Sequence, residues 1–204
     1  TAIHADMCLE RVRQFYALVA PSPADAGNKC SYVRPKWCEL VRLLDALTFH
    51  QALIFAAKGA ESAALARHLS AAGFPSGFIS ADRSQAERSS VVRRFRDFEL
   101  RLLVASDLLA RGVDFGRVTL VVHLSAPHDV PTYLHRVGRT GRFGARGVSV
   151  LLLDPSEWAH FRRLADGENI APEQLDVSTE AGASVLQREL APEPLSESED
   201  SARL

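Results

Sequence analysis

The sequence predicts an α/β fold in which helices cover a parallel sheet. Between Ala52 and Leu153, short apolar runs alternate with segments whose apolar residues recur at helical spacing. The short runs are rich in Val, Ile, Leu or Phe, which is typical of buried parallel strands. Strands are predicted over residues 52–57, 77–80, 100–106, 119–125 and 148–153. Regular alternation of this kind is typical of a parallel sheet with helices on its faces.

The segments between and around the strands carry helix start and stop signals. Ser84 is a candidate N-cap, and Gly73 is a candidate stop for the helix before it. Pro131 lies near a helix start, and the glycine at Gly138 indicates that this helix is short. Helices are predicted over residues 35–48, 59–73, 84–98, 130–142 and 156–167.

The chain divides into three parts by composition. Residues 1–34 are predicted as a lead-in, extended or helical, followed by a loop, and residues 35–170 form the α/β domain. Pro, Glu and Ser dominate residues 171–204, which are acidic and poor in aromatics. Such a composition favours a mobile C-terminal tail.

Charge is unevenly distributed, although the net charge of the 204 residues is only -1. Residues 83–153 hold twelve arginines and six acidic residues, so this segment has a net charge of +6. Residues 154–204 hold four basic and twelve acidic residues, for a net charge of -8. The basic middle segment favours an anionic ligand, while a solvated charged surface is the alternative explanation.

Composition also disfavours several classes of protein. Three cysteines without a CxxC pair indicate neither a disulfide framework nor a zinc site. The absence of a long apolar run and of a secretory leader favours a cytoplasmic or nuclear protein without a membrane partner. The sequence has no GxxxxGKS or GxxxxGKT loop, no HExxH pattern and no GxSxG elbow. Hydrolysis by this chain alone is therefore not expected, and no metal site is predicted.

The segment HRVGRTGR, residues 135–142, places three arginines at intervals of three residues. Glycines before the last two, Arg139 and Arg142, leave little side-chain bulk between them. A guanidinium offers several donors to phosphate oxygens and keeps its charge, as phosphoryl-transfer sites require. A network of ion pairs with carboxylates explains the spacing about equally well.

The segment SDLLARGVD, residues 106–114, directly follows a predicted strand. Ligands of open parallel sheets bind beyond the carboxyl ends of the strands, where Ser106 and Asp107 would lie. Asp114 could accept hydrogen bonds from a ribose, and Ser106 could bind a phosphate. For Asp107, a helix cap with an internal salt bridge is at least as good an explanation.

A third candidate lies in SQAERSSVVRRFR, residues 84–96. Gln85 and Arg88 are one helical turn apart near the helix start, where a phosphodiester backbone would be attracted. The arginines at positions 93, 94 and 96 are better explained as the solvated outer face of the helix.

Five segments, in this order, resemble motifs of the second RecA-like domain of superfamily 2 helicases, and specifically of DEAD-box RNA helicases. ALIFAAK is similar to motif IV, SQAER to the Gln-x-x-Arg element, SDLLARGVD to motif V, LVVHLSAPHDVPTYLHR to the connecting Va stretch and HRVGRTGR to motif VI. The resemblance covers about residues 5–170. It implies the RecA-like fold of P-loop NTPases, a parallel sheet sandwiched between helices.

On the nucleotide side, the resemblance implies a site shared by two RecA-like domains. An N-terminal domain, not contained in this chain, would hold ATP and Mg²⁺ with its P-loop and Asp-Glu-Ala-Asp box. Arg139 and Arg142 would act as arginine fingers toward the γ-phosphate, and Asp114 would contact the ribose. The residues expected to meet the N-terminal domain are His135, Arg136 and Arg111.

On the RNA side, the resemblance implies contacts to the backbone of single-stranded or duplex RNA. Motif V usually begins with threonine where this chain has Ser106, which retains the hydroxyl. Motif IV often has asparagine or threonine where this chain has Ala57 and Lys58, so no side-chain contact is expected there. The residues that the resemblance places on RNA are Ala56, Ala57, Gln85, Arg88 and Ser106.

Two further function classes remain open. The fold permits a non-catalytic RecA-like module that binds RNA or protein, and the same superfamily contains DNA translocases. The upstream sequence of the gene would discriminate between enzyme and module. Within the DEAD-box family, VRQFYALV, FHQALIFAA, GFPSGFIS and LHRVGRTGRFGARG are most similar to the DEAD-box component of the SMN complex. A ribonucleoprotein-assembly complex is therefore an expected partner.

Overall fold

The computed structural model describes residues 11–20, 33–56, 59–107, 116–142 and 146–191. Within these ranges, the strands are β1 Val12–Leu18, β2 Gln51–Phe55, β3 Ser76–Ile79, β4 Leu102–Ala105, β5 Val118–His123, β6 Gly147–Leu153 and β7 Glu173–Gln174. The helices are α1 Val33–Ala46, α2 Gly59–Ala71, α3 Gln85–Arg96, α4 Val130–Val137, α5 Pro155–Ala165 and α6 Glu180–Leu190.

The strands form one parallel sheet in the order β3-β4-β2-β5-β6-β1-β7. The four central strands β4, β2, β5 and β6 consist almost wholly of buried residues, as expected for strands covered on both faces. The predicted α/β class and its five strands are confirmed. No described helix has the length and apolar character needed to cross a membrane.

Helices cover both faces of the sheet. On one face, α1, α2 and α6 bury Leu40, Leu65 and Leu186 against alternate residues of the strands. On the other face, α3 packs through Phe95, and α4 and α5 pack through apolar side chains of their own. The two faces use alternate strand residues because successive side chains of a strand point in opposite directions.

Local signals fix the start of α3. The Ser84 hydroxyl accepts a hydrogen bond from the Glu87 backbone nitrogen at 3.3 Å, and the Glu87 carboxylate accepts one from the Ser84 nitrogen at 2.9 Å. This reciprocal capping box confirms the predicted cap. Hydrogen bonding from Ser84 also holds the pKa of Glu87 below its usual value. Arg88 is thereby fixed in the first turns of α3.

The two ends of the chain differ from expectation. The lead-in contains β1, which confirms the extended alternative, but β1 pairs with β6 and β7 and so belongs to the sheet of the domain. A mobile tail from residue 171 was expected, but β7 and α6 lie there, so that prediction is wrong for residues 173–190. The acidic composition of this segment favoured a mobile tail, but its apolar residues Val177 and Leu186 are buried against the sheet. Residues 192–204 lie outside the described part of the chain.

Candidate functional site

The strand ends bring two of the predicted RNA-contact residues together. Phe55 of β2 pairs with Ala105 of β4, so Ala56 and Ser106 follow neighbouring strands at the same edge. The Ala56 nitrogen donates to the Ala105 carbonyl at 3.1 Å, which keeps its backbone against β4. The two residues are thus close together in the structure, and their contact with RNA stays a prediction.

Buried polar atoms without a hydrogen-bond partner among the described residues include the Ser106 hydroxyl at this edge and the Nε of Arg88. Arg88 lies on α3, which follows β3, the neighbour of β4 in the sheet. Gln85 is the first residue of α3 and is exposed. Because buried polar groups are nearly always satisfied, the two unpartnered atoms fit a site that a polar ligand completes.

Arg136, by contrast, is bound within the domain. Its Nε and Nη2 donate to the two carboxylate oxygens of Asp107 at 2.6 and 3.0 Å, and its Nη1 donates to the Ser125 carbonyl at 2.8 Å. The guanidinium carbon lies 5.1 Å from the ring centroid of Phe55. Arg136 is only 3% exposed, so water cannot replace these partners.

This geometry decides between two interpretations of the motif residues. The internal salt bridge in the alternative explanation for Asp107 is confirmed, since the pair with Arg136 is bidentate. The helix cap in the same explanation falls on residues outside the described part of the chain. Arg136 is buried with three intradomain hydrogen bonds, and its expected contact with another domain stays a prediction. The partners are 29 residues apart, so local spacing could not identify Asp107 as the carboxylate that Arg136 binds.

A buried histidine lies beside this arginine. His123, at the end of β5, is fully buried; its Nε2 hydrogen-bonds the Ser149 hydroxyl at 3.0 Å, and its Nδ1 has no partner among the described residues. Its ring centroid lies 5.6 Å from that of Tyr133. Burial and the nearby Arg136 charge hold the pKa of His123 well below its usual 6.5. This histidine is therefore neutral at neutral pH.

The two predicted arginine fingers are held by backbone carbonyls one turn earlier. The Arg139 Nε donates to the His135 carbonyl at 3.1 Å, and the Arg142 Nε donates to the Gly138 carbonyl at 2.7 Å. Arg139 is 8% exposed, and Arg142 is half-buried. These bonds use one donor on each side chain and fix the direction of both stems.

The segment after α4 packs at the other end of β5. The Thr140 hydroxyl donates to the Val118 carbonyl at 2.8 Å, and Thr140 is fully buried. Gly141 has a φ of 69°, where glycine is favoured, and an added Cβ would collide with Val12. Gly141 therefore allows the chain to turn tightly beside β1 between the two arginines.

The other predicted site residues divide into two groups. His135 is exposed on α4, in keeping with a contact outside this domain. Ala57, Arg111 and Asp114 lie outside the described residues. Among the residues that the structure describes, no group of three or more His, Cys, Asp or Glu side chains could hold a metal ion.

Sequence reasoning missed one buried charge. Lys36 of α1 is 6% exposed, and its Nζ donates to the Leu124 carbonyl at 2.9 Å and to the Glu157 carboxylate. Leu124 and Ser125 are thus bonded through their carbonyls to two different cations, Lys36 and Arg136. A lysine next to a helix start carries no local signal of such a role, because its partners are 88 and 121 residues away.

Comparison with known proteins shows the family to which the chain belongs. Residues 35–144 match the model of the helicase conserved C-terminal domain. The probable ATP-dependent RNA helicase ddx20 of Dictyostelium discoideum is 37% identical over 146 residues, which are 72% of this chain and 17% of the relative. The chain therefore spans only a small part of that relative.

Solved structures show the same fold. A DEAD box protein from the hyperthermophile Methanococcus jannaschii superposes with a TM-score of 0.71 and 28% identity, covering 82% of this chain and 42% of that one. Dbp5 of S. cerevisiae, bound to RNA and ADP BeF3, superposes with a TM-score of 0.76 and 23% identity, covering 89% of this chain and 46% of that one. The RecA-like architecture predicted from the motifs is confirmed. The chain belongs to the helicase conserved C-terminal domain family, as the C-terminal RecA-like domain of a DEAD-box RNA helicase.

Proposed function

We propose that this chain supplies arginine fingers and RNA-backbone contacts to an ATPase site that an N-terminal RecA-like domain completes. The observation that carries the proposal is the pair of arginines after α4. Arg139 and Arg142 are three residues apart, and each has its Nε bonded to a carbonyl of the same chain. Donors fixed in advance stabilise developing charge without reorganisation during the reaction.

The chemistry of this pair suits phosphoryl transfer. Guanidinium groups stay charged at neutral pH and donate to phosphate oxygens, whose negative charge must be stabilised in the transition state. Arg139 and Arg142 would face the γ-phosphate of ATP, and Asp114 would contact the ribose. The N-terminal domain would hold most of the nucleotide and the Mg²⁺. When bound, the Mg²⁺ ion would neutralise phosphate charge.

The RNA contacts are proposed for the carboxyl edge of β2 and β4. The unpartnered Ser106 hydroxyl and Arg88 Nε support this assignment, since both can donate to phosphate oxygens. The backbone at Ala56 and Ala57 would contribute as well, and Gln85 would orient α3. Contacts of this kind bind the RNA backbone without reading its sequence.

The similarity to ATP-dependent RNA helicases and to an RNA-bound structure supports an enzyme of that kind. A place in a ribonucleoprotein-assembly complex is proposed from the resemblance of the sequence alone. Co-purification with such a complex from cells would support it, and isolation of the protein free of other proteins would contradict it.

The test is RNA-stimulated ATP hydrolysis by the full-length protein that carries this chain. Arg139→Ala should lower the turnover by about 10³ or more, as for other arginine fingers. Arg93→Ala is the matched control, because that exposed arginine on α3 lies in the same basic segment. Arg142→Ala provides a second, less buried position. Turnover unchanged in both Arg139→Ala and Arg142→Ala would contradict the proposed role.

A further inference from the structure

We propose that Arg83, stacked on Phe78, forms a platform on which an unpaired base of single-stranded RNA stacks. The inference rests on the proposed function, because it adds a base contact to the proposed contacts with the RNA backbone. Arg83 is the last residue before the Ser84 cap of α3. None of the five motif-like segments contains Arg83 or Phe78.

The platform begins with an aromatic ring at the edge of the sheet. Within the described ranges, β3 ends the strand order and is paired on one side only, with β4. Phe78 of β3 packs against the apolar cluster on one face of the sheet, but it stays half-buried. The Arg83 guanidinium carbon lies 3.9 Å from the centroid of the Phe78 ring. Arg83 therefore covers this ring at the open edge of the sheet.

One face of the Arg83 guanidinium is available to a ligand. The distance of 3.9 Å is near van der Waals contact, whereas Arg136 lies 5.1 Å from the Phe55 centroid. A planar guanidinium has two faces, and Phe78 can occupy only one of them. Arg83 is half-buried, and in the described part of the chain its guanidinium takes part in no hydrogen bond or ion pair. A second flat group can therefore stack on its outer face.

The charges near Arg83 favour a base over a phosphate. Asp82 precedes Arg83 directly in the chain. Hydrogen bonding from Ser84 is the main cause of the lowered pKa of Glu87, and the nearby Arg83 charge adds to it. Both carboxylates would repel a phosphate, whereas an uncharged base meets no such repulsion. Proteins that bind single-stranded RNA commonly stack bases on arginine planes.

Arg83 also lies at the edge where the RNA contacts are proposed. Ile79 of β3 pairs with Ala105 of β4, so the turn that carries Arg83 follows β3 at the same edge where Ser106 follows β4. Arg88 lies in the first turns of α3, five residues beyond Arg83. RNA held through its backbone at Ser106 and Arg88 would therefore have a neighbouring nucleotide beside the platform.

The experiment measures the affinity of the full-length protein, with an ATP analogue bound, for two RNA 20-mers by fluorescence anisotropy. One probe is oligo(A), and the other has the same ribose-phosphate chain without bases. Arg83→Lys retains the charge and loses the planar guanidinium. It should weaken binding of oligo(A) by about fivefold, at the low end of what one stacked base contributes. Binding of the abasic probe should change by less than about twofold, because its phosphates are intact.

Phe78→Leu provides a second variant, because it removes the aromatic support of Arg83 and leaves an apolar side chain in its place. It should weaken binding of oligo(A) by about threefold, as expected for the loss of an exposed contact between a cation and a ring. Arg93→Lys is the matched control, since that exposed arginine lies on α3 outside the platform. It should bind both probes like the wild type.

Three outcomes would overturn the platform: wild-type affinity for oligo(A) in Arg83→Lys or Phe78→Leu, an equal loss for the abasic probe, or an equal loss in Arg93→Lys. Arg88→Ala tests the proposed backbone contacts and should weaken both probes alike. If Arg88→Ala weakens both probes and Arg83→Lys weakens neither, only the platform fails. If neither variant changes either affinity, the proposed RNA contact of Arg88 fails as well, so the two failures are distinguishable.

Discussion

Two regions of this domain are both rich in polar side chains, but they differ in whether those side chains have hydrogen-bond partners within the chain. In the segment 135–142, the guanidiniums of Arg136, Arg139 and Arg142 all donate to groups of this chain. At the carboxyl edge of β3 and β4, the Ser106 hydroxyl and the Arg88 Nε are buried without a partner in the described part of the chain.

The first region therefore holds its side chains in place without a ligand, whereas the second has polar atoms that a bound ligand could satisfy. Side chains already held in place lose little freedom when charge develops beside them, which suits a catalytic role. Buried polar atoms without partners destabilise the free protein, and a bound ligand removes that cost. Substitutions should therefore affect the free energy of unfolding in the first region and ligand affinity in the second.

The largest effect on stability is expected for Arg136→Met. Removal of the guanidinium leaves the Asp107 carboxylate and the Ser125 carbonyl without their donors. We expect the free energy of unfolding to fall by about 2 kcal/mol, less than for a fully buried pair because the Asp107 side chain is 38% exposed. Urea unfolding of the 204-residue chain measures this change. A loss below about 0.5 kcal/mol would contradict the description of this region.

The next effect concerns pH. The pKa of His123 in the folded state lies well below 6.5, so the unfolded state binds the proton more strongly. Stability is then fully present above pH 6.5 and falls below it, by about 1.4 kcal/mol between pH 7.5 and 5.5. Urea unfolding at both pH values should show this loss in the wild type and in the exposed control His160→Asn, but not in His123→Asn. An equal loss in His123→Asn would show that another group is responsible.

At the carboxyl edge of β3 and β4, Arg88→Ala should weaken RNA binding. One lost charged hydrogen bond weakens affinity for a single-stranded RNA 20-mer by about tenfold. Ser106→Ala should weaken it less, because the hydroxyl is neutral. Neither variant should lower the free energy of unfolding by more than about 0.5 kcal/mol, because the free protein loses no hydrogen bond. Fluorescence anisotropy with the full-length protein and an ATP analogue measures the RNA affinity. Variants that lose stability but not RNA affinity would contradict the proposed difference between the two regions.

The smallest effect is expected for the exposed ion pair between Arg94 and Glu99, which meets at 2.9 Å. Both side chains are about half exposed, so Glu99→Gln should change the free energy of unfolding by less than about 0.5 kcal/mol. Urea unfolding of Glu99→Gln and of Arg136→Met under the same conditions measures the difference between the two variants. A loss as large as that of Arg136→Met would remove the distinction between buried and exposed pairs.

Local sequence signals predicted what depends on neighbours along the chain. The five strands, the Ser84 cap and the short helix after Pro131 follow from periodicity and from single residues with strong backbone preferences. The position of Ser106 at a strand end follows from the rule that ligands of parallel sheets bind beyond the carboxyl ends of the strands. Ala56 was placed beside it by the resemblance to motif IV.

What the sequence could not predict depends on distant partners. Arg136 and Asp107 are 29 residues apart, and Lys36 finds the Leu124 carbonyl across 88 residues. A charge that will be buried looks the same in the sequence as one on the surface. Likewise, α6 was not predicted, because residues 171–204 are acidic overall and the packing of α6 depends on a few apolar residues such as Leu186.

The central claim, that this chain provides half of a shared ATPase site, is tested most directly by one kinetic assay. ATP turnover is measured for the full-length protein and for the isolated 204 residues, each with a saturating single-stranded RNA 20-mer. We expect RNA-stimulated hydrolysis by the full-length protein and none by the isolated chain. Hydrolysis by the isolated chain at the full-length rate, or no hydrolysis by the full-length protein, would contradict the claim.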